Sequence, residues 1–153
     1  MNNDDTIDTL NDLIETSKDG EYGFRTCSEQ AKAATLKSTL SQRADQCRDA
    51  AAELQACVRG LGGEAEERGS AAGAMHRGWV SIKTMLSSYD DLAVLEEVER
   101  GEDSALAAYR EAIKEDLPAN VKSVVERQYD GAKRNHDQIR TLRDQHRAAK
   151  ATA

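Results

Sequence analysis

Apolar residues recur at helical spacing in four long segments of this chain. In the first segment the stripe runs Ile7, Leu10, Ile14, Ser17, Glu21, Phe24, Ser28 and Ala31, and in the second it runs Leu36, Leu40, Arg43, Cys47, Ala50, Leu54, Cys57 and Leu61. The third carries Leu95, Val98, Glu102, Ala105, Tyr109 and Ala112, and the fourth carries Val121, Val125, Gln128, Ala132, Asn135, Ile139, Leu142 and His146. Because a repeat of three and four residues is typical of amphipathic helices, the pattern predicts helices over about 5–33, 35–61, 90–116 and 118–147.

Turn residues between these segments predict how the helices are joined. Thr35 is placed to cap the second helix, and Gly62 and Gly63 can end it in the left-handed conformation. Pro118 suits the first turn of the fourth helix. The connections before the second and fourth helices are short, so each consecutive pair is expected to form an antiparallel hairpin.

Residues 62–89 are predicted to form a long crossover between the two hairpins. Its first part is polar, and Ser70 can cap a shorter helix over about 70–87. The apolar positions of that helix are Met75, Trp79, Ile82 and Leu86. We therefore expect an all-α protein, an antiparallel four-helix bundle of two hairpins with a short extra helix on the crossover, forming a single domain over residues 1–153.

Composition agrees with a helical core and narrows the function. The chain has 153 residues but only one Phe, one Trp and one Pro, so it is poor in the aromatic residues that sheets favour. Its formal net charge of -7, with acidic and basic residues interleaved, argues against a nucleic-acid partner. The acidic start at residues 1–5 is unlike a signal peptide, and no apolar run is long enough to span a membrane. A cytoplasmic protein with reduced cysteines (Cys27, Cys47 and Cys57) is expected.

Two carboxylates interrupt the apolar stripes and are the main candidates for chemistry. Glu21 lies near the middle of the first helix, and Glu102 lies near the middle of the third. A carboxylate in a core must be protonated, paired with a cation or bound to a metal ion, because an unpaired buried charge is costly. The stripes predict that both point inward and face each other.

The chain resembles the ferritin-like superfamily, closest to small bacterial four-helix-bundle proteins related in fold to rubrerythrins. The stretches that carry the resemblance are LNDLIETSKDGEYGF, AAELQACVRGLGG, HRGWVSIKTML, VLEEVERGEDSALAAYREAI and RNHDQIRTLRD. The resemblance implies two hairpins with a long crossover and, in iron-using relatives, one carboxylate from each of the first and third helices, which Glu21 and Glu102 match. Such relatives also place Glu-x-x-His on the second and fourth helices. This chain departs from that pattern, because Lys133 precedes His136 at that spacing and the second helix has no histidine.

Two function hypotheses follow from these residues. The first is a ferritin-like stress or metal-handling protein that binds iron or manganese through Glu21 and Glu102, with His136 and Gln46 as weaker candidate ligands at the same level. The second is a non-catalytic bundle in which the carboxylates form a polar network with Arg43 and which acts through self-association or a protein partner. A homo-oligomer such as a dimer is expected in either case. No complete catalytic constellation is present, so weak di-metal oxidase activity is the most that the pattern allows.

Four glycines inside the helical segments also require an explanation. Gly20, Gly23, Gly101 and Gly131 each cost about 1 kcal/mol of helix propensity. Close approach of helices, or room for a bound group, would explain them. Trp79 is expected to cover the side of the bundle.

Overall fold

Four helices make up most of the structure. The computed structural model describes residues 2–67, 79 and 90–152. The helices are α1 (Asn3–Gln30), α2 (Ala34–Gly60), α3 (Asp91–Lys114) and α4 (Ala119–Ala151). The prediction of an all-α bundle of four helices is confirmed. The extra helix predicted over about 70–87 lies outside the described residues, apart from Trp79, and the single domain over the whole chain stays a prediction. Of the helices in the described ranges, none has the length and apolar character needed to cross a membrane.

The end of α2 is the glycine stop that the sequence predicts. Gly62 has a φ of 81°, in the left-handed region that glycine adopts without strain. The backbone N–H groups of Gly62 and Gly63 donate to the carbonyl oxygens of Arg59 and Val58, both at 3.0 Å. These two bonds form a Schellman motif, which satisfies carbonyl groups that the helix end leaves without partners.

Side-chain caps set the starts of α1 and α3. The side chain of Asn2 accepts a hydrogen bond from the backbone N–H of Asp5 at 2.8 Å, so α1 begins slightly earlier than predicted. The carboxylate of Asp90 accepts from the backbone N–H of Ala93 at 2.9 Å, which confirms the predicted start of α3. Each bond satisfies one of the free N–H groups of a first helical turn.

The predicted cap of α2 is wrong. The residue before the helix is Ala33 rather than Thr35, and it makes no capping bond through its side chain. Instead, the carboxylate of Asp91, on α3, accepts the backbone N–H groups of Lys32 at 2.7 Å and Ala33 at 3.1 Å. A distant acidic residue therefore orders the α1–α2 turn. Pro118 also lies one position earlier than predicted, immediately before α4.

Packing between the helices is uneven. α1 packs against α2 and α3, and α3 packs against α4, whereas α2 and α4 make few contacts with each other. The buried apolar residues form two clusters, one around Phe24, Leu40 and Leu95 and the other around Leu10 and Leu54.

Trp79 fills a slot between α1 and α3 that two glycines create. Its side chain is buried, and its ring meets that of Phe24 edge-on, with 5.0 Å between centroids. A Cβ atom on Gly23 or on Gly101 would overlap the indole ring. Room for Trp79 therefore explains these two glycines. Gly20 has a different reason, because a Cβ atom there would lie 3.1 Å from Sγ of Cys47 on α2.

Candidate functional site

A cleft of about 680 Å³ enters the bundle where α2 and α4 are weakly packed. We call it the α2–α4 cleft. All four helices contribute to it, and the residues that matter most for its chemistry are Phe24, Arg43, Trp79, Glu102, Tyr109 and Gln128. Its volume lies within the roughly 300–1,000 Å³ that is common for small-molecule sites. The weak seam between α2 and α4 thus produces a site of ligand size.

Glu102 is a buried carboxyl group inside this cleft. Its exposed fraction is 3%, and neither carboxyl oxygen has a hydrogen-bond partner among the described residues. The nearest cation is the guanidinium of Arg43, whose Nε lies 3.8 Å from Oε2. Burial raises the pKa of Glu102 to about 8, and Arg43 opposes this only in part. The prediction of a core carboxylate is therefore met by Glu102.

Arg43 enters the cleft from α2 beside an aromatic ring. Its guanidinium carbon lies 5.3 Å from the centroid of the Phe24 ring, close enough for a cation–π contact. Its Nη1 donates to Gln46 Oε1 at 3.3 Å, and the same oxygen accepts from Asn135 Nδ2 on α4 at 3.1 Å. Its Nε has no hydrogen-bond acceptor among the described residues. Gln46, a predicted metal ligand, is exposed and here bridges Arg43 to α4.

Glu21 lies at the edge of the bundle rather than in its centre. Its side chain is 27% exposed, and Nη2 of Arg25 lies 3.9 Å from its Oε2. Arg25 also pairs with Asp45 on α2 at 2.9 Å. Burial at this level of α1 falls on Gly20 and Phe24 instead. Only one of the two predicted core carboxylates is therefore in the core, and a metal shared by Glu21 and Glu102 stays a prediction.

A hydrogen-bonded network closes one part of the cleft. The hydroxyl of Tyr109 donates to Gln128 Oε1 at 2.8 Å, and Gln128 Nε2 donates to Glu53 Oε1 at 2.7 Å. Arg127 pairs with the other oxygen of Glu53. Burial raises the pKa of Tyr109 to about 12, so its hydroxyl stays protonated at neutral pH. The network connects α2, α3 and α4 and leaves Glu102 and Arg43 outside it.

A second group of candidate ligands lies between α3 and α4. One donor atom from each of Glu99, Asp103 and His136 falls within 4.8 Å of the other two. We call this group the carboxylate–histidine cluster. His136 Nε2 lies 2.7 Å from Asp103 Oδ1. One oxygen of Glu99 accepts from Arg143, and its other oxygen, Oε2, is buried without a hydrogen-bond partner among the described residues.

The structure thus pairs His136 with carboxylates other than the predicted ones. Glu99 and Asp103 are not part of the apolar stripe of α3, so the stripe does not single them out. Their spacing of four residues, which puts them on one helical face, is the signal that could have found them. His136 contributes from α4, whose alignment with α3 only the folded structure shows.

The donors around Glu102 do not fit a di-metal centre of the kind that ferritin-like enzymes use. Such centres combine four carboxylates with two histidines from four helices. Within the described residues, the cleft contains one buried carboxylate there, with a guanidinium 3.8 Å away and no imidazole. One buried carboxylate is too few ligands for two metal ions of that kind.

The four-helix bundle with two hairpins is the fold of ferritin-like proteins, as two solved structures show. A point mutant of Dps1 from Mycobacterium smegmatis aligns with a TM-score of 0.77 and 14% identity, over 92% of this chain and 96% of that chain. The bacterioferritin-related protein from Bacteroides fragilis, described as a dodecameric thioferritin, aligns with a TM-score of 0.81 and 14% identity, over 99% of this chain and 92% of that chain. At this identity the likeness shows the fold alone.

The chain belongs to the family described as Domain of unknown function (DUF2383), whose model matches residues 5–115. The resemblance to a ferritin-like family drawn from the sequence is thereby confirmed. No curated protein sequence matches the chain.

Proposed function

We propose that this ferritin-like chain binds one divalent metal ion at the carboxylate–histidine cluster. The observation that carries the proposal is the convergence of Glu99, Asp103 and His136 within 4.8 Å. Two carboxylates and an imidazole form a mixed oxygen and nitrogen donor set, which suits iron(II) or manganese(II). Three protein donors leave further coordination positions to water or a substrate. The metal-handling role expected from the sequence is retained, at a different location.

The state of Glu99 supports this location. Arg143 pairs with one carboxylate oxygen and holds the side chain in place, while Oε2 is buried and lacks a hydrogen-bond partner among the described residues. An acceptor left in this way costs free energy unless another group binds it. A metal ion at the cluster would supply that group. Arg143 would then act as an orienting partner of a ligand.

Titration of metal-free protein with manganese(II), followed by electron paramagnetic resonance, tests the proposal. Wild type is expected to bind one ion per chain, and His136→Ala and Asp103→Asn are expected to lose more than about tenfold in affinity. Glu111→Gln is the matched control, because it removes an exposed carboxylate of α3 that pairs with Lys114 and lies outside the cluster. Unchanged binding in both cluster variants would overturn the proposal.

Glu102→Gln distinguishes this site from the predicted core pair. If Glu21 and Glu102 held the metal, this substitution would remove a ligand and lower occupancy. At the carboxylate–histidine cluster it removes none, so the affinity is expected to stay within about twofold. A large loss in Glu102→Gln, with His136→Ala unaffected, would move the site to the core.

We also propose that the chain self-associates. The support is that the similar Bacteroides fragilis protein is described as dodecameric. Native mass spectrometry of the full chain gives the number of subunits. A monomer at all concentrations tested would contradict this part of the proposal. Measurement with and without manganese(II) shows whether assembly depends on the metal.

A further inference from the structure

Three buried polar atoms that lack a hydrogen-bond partner among the described residues converge in the α2–α4 cleft. They are both carboxyl oxygens of Glu102 and Nε of Arg43. Roughly nine in ten buried polar groups in proteins are hydrogen-bonded, and each exception requires a reason. A ligand that completes these bonds is such a reason.

The order of these atoms defines the pattern of hydrogen-bond donors and acceptors that a ligand must present. Arg43 Nε–H needs an acceptor, and Glu102 in its ionised form offers two adjacent acceptors that need donors, so a ligand that supplies both donors binds that form. Since Nε lies 3.8 Å from Oε2, the acceptor must be next to the donors in the ligand. The complementary edge is therefore a carbonyl, then an N–H group, then a second N–H group in a row.

Simpler ligands satisfy only part of this set. An alkylammonium ion could donate to Glu102 but has no acceptor for Arg43. A carboxylate could accept from Arg43 and from a protonated Glu102, but it has no donor for the remaining oxygen of Glu102. A metal ion could bind the carboxylate of Glu102 but has no acceptor for Arg43 Nε–H. A planar edge with carbonyl, ring N–H and amino group completes all three bonds.

The cleft also suits the flat ring that carries such an edge. Its volume of about 680 Å³ exceeds the needs of one bicyclic heterocycle. Phe24, Trp79 and Leu106 provide aromatic and apolar surface beside the polar atoms. Aromatic side chains stack on heterocyclic rings in many nucleotide-binding sites.

We propose that the α2–α4 cleft binds a planar heterocycle through the edge shared by guanine and the pterins, with Glu102 accepting from its ring N–H and amino group and Arg43 donating to its carbonyl. This edge has one acceptor beside two donors. The site lies in the cleft and is separate from the carboxylate–histidine cluster. Guanosine and pterin share the recognition chemistry, and binding measurements separate these two sources.

Isothermal titration of the full-length protein with guanosine, pterin and adenosine tests this site. All titrations contain a chelator, so that failure of the metal proposal does not affect the outcome. Guanosine or pterin is expected to bind, and adenosine is not, because the adenine edge places an amino donor opposite Arg43. Binding of guanosine alone would identify a nucleoside ligand, and binding of pterin alone would identify a pterin. No binding of either at millimolar concentration would overturn the proposal.

Substitutions test the two recognition groups. Arg43→Met is expected to weaken binding roughly tenfold or more, the effect of one hydrogen bond to a charged group. Glu102→Gln replaces one acceptor by a donor, so it should lose guanosine and gain xanthosine, whose ring carries a carbonyl in place of the amino group. A merely structural role for Glu102 would not reverse this preference. Unchanged guanosine affinity in both variants would contradict the assignment.

Glu97→Gln provides the matched control. Glu97 is a buried glutamate on the same helix, it pairs with Arg100 at 2.8 Å, and it does not line the cleft. Its substitution is expected to leave guanosine and xanthosine binding unchanged. Thermal melts of each variant confirm that the protein titrated is folded.

Discussion

The indole of Trp79 occupies the space in which a side chain on Gly23 would lie. Gly101, on α3, is related to Trp79 in the same way. One residue of the crossover is thus built into the contact between α1 and α3. Substitutions at Gly23, Trp79 and Gly101 should therefore have non-additive effects on the free energy of unfolding.

Gly23→Ala is expected to destabilise the wild type by about 1–3 kcal/mol, because the added methyl group overlaps the indole. In a Trp79→Ala background the same change should be neutral or stabilising by up to about 1 kcal/mol, since alanine favours a helix over glycine. Trp79→Ala alone should cost about 3–5 kcal/mol. Urea unfolding of the three variants gives the coupling. Equal effects of Gly23→Ala in both backgrounds would show that the contact does not form.

The pH dependence of stability is expected to carry the signature of Glu102. Burial raises its pKa from 4.5 to about 8, so the folded state holds a proton that the unfolded state releases between these values. Stability is therefore present below about pH 4.5 and is lost as pH rises to about 8, by an amount on the order of a few kcal/mol. Glu102→Gln should remove this loss.

Chemical denaturation of wild type and Glu102→Gln at intervals from pH 4 to 9 measures that difference. A chelator keeps metal binding out of the comparison. The free-energy gap between the two proteins should move in favour of the variant across the window. A constant gap would mean that the pKa of Glu102 is the same in the folded and the unfolded protein.

Asp91→Ala should destabilise the protein by about 1–3 kcal/mol, because it leaves the backbone N–H groups of Lys32 and Ala33 without their acceptor. Asp49→Ala changes an exposed residue that pairs with its neighbour Arg48, and it should change stability by less than about 0.5 kcal/mol. Thermal melts compare the two. Equal effects would contradict the cap assigned to Asp91.

Metal binding at the carboxylate–histidine cluster should raise the melting temperature. An ion at one hundred times its dissociation constant adds about 2.7 kcal/mol to the free energy of unfolding if it binds only the folded state. The shift should disappear in His136→Ala and after addition of a chelator. A shift of the same size in His136→Ala would place the ion elsewhere.

The fold could be predicted because its signals are local. The apolar stripes, Asp90 before α3 and the glycines after α2 each act within one turn of their own helix. The start of α2 could not be predicted, since its cap comes from Asp91, which is distant in sequence. Glu21 follows the heptad stripe, but an α-helix has 3.6 residues per turn, and the buried positions on either side of Phe24 are Gly20 and Cys27 rather than Glu21 and Ser28.

The candidate sites were predictable only in part for the same reason. Glu102 interrupts an apolar stripe and could be recognised from its position alone. The carboxylate–histidine cluster needs the axial alignment of α3 with α4, and no local pattern encodes that alignment. The cleft depends on the low contact between α2 and α4, which is a property of the assembled bundle.

The uneven packing makes one side of the bundle easier to open than the other. The contact between α1 and α3, with Trp79 set into it, would act as the hinge, and the sparse contact between α2 and α4 is the side that would open. A small rotation of one hairpin about this hinge would widen the cleft while breaking few contacts, because elements with little buried contact move at a low cost in free energy. The more rigid contact, between α1 and α3, therefore lies opposite the α2–α4 cleft. A ligand could reach Glu102 and Arg43 without the unfolding of either hairpin.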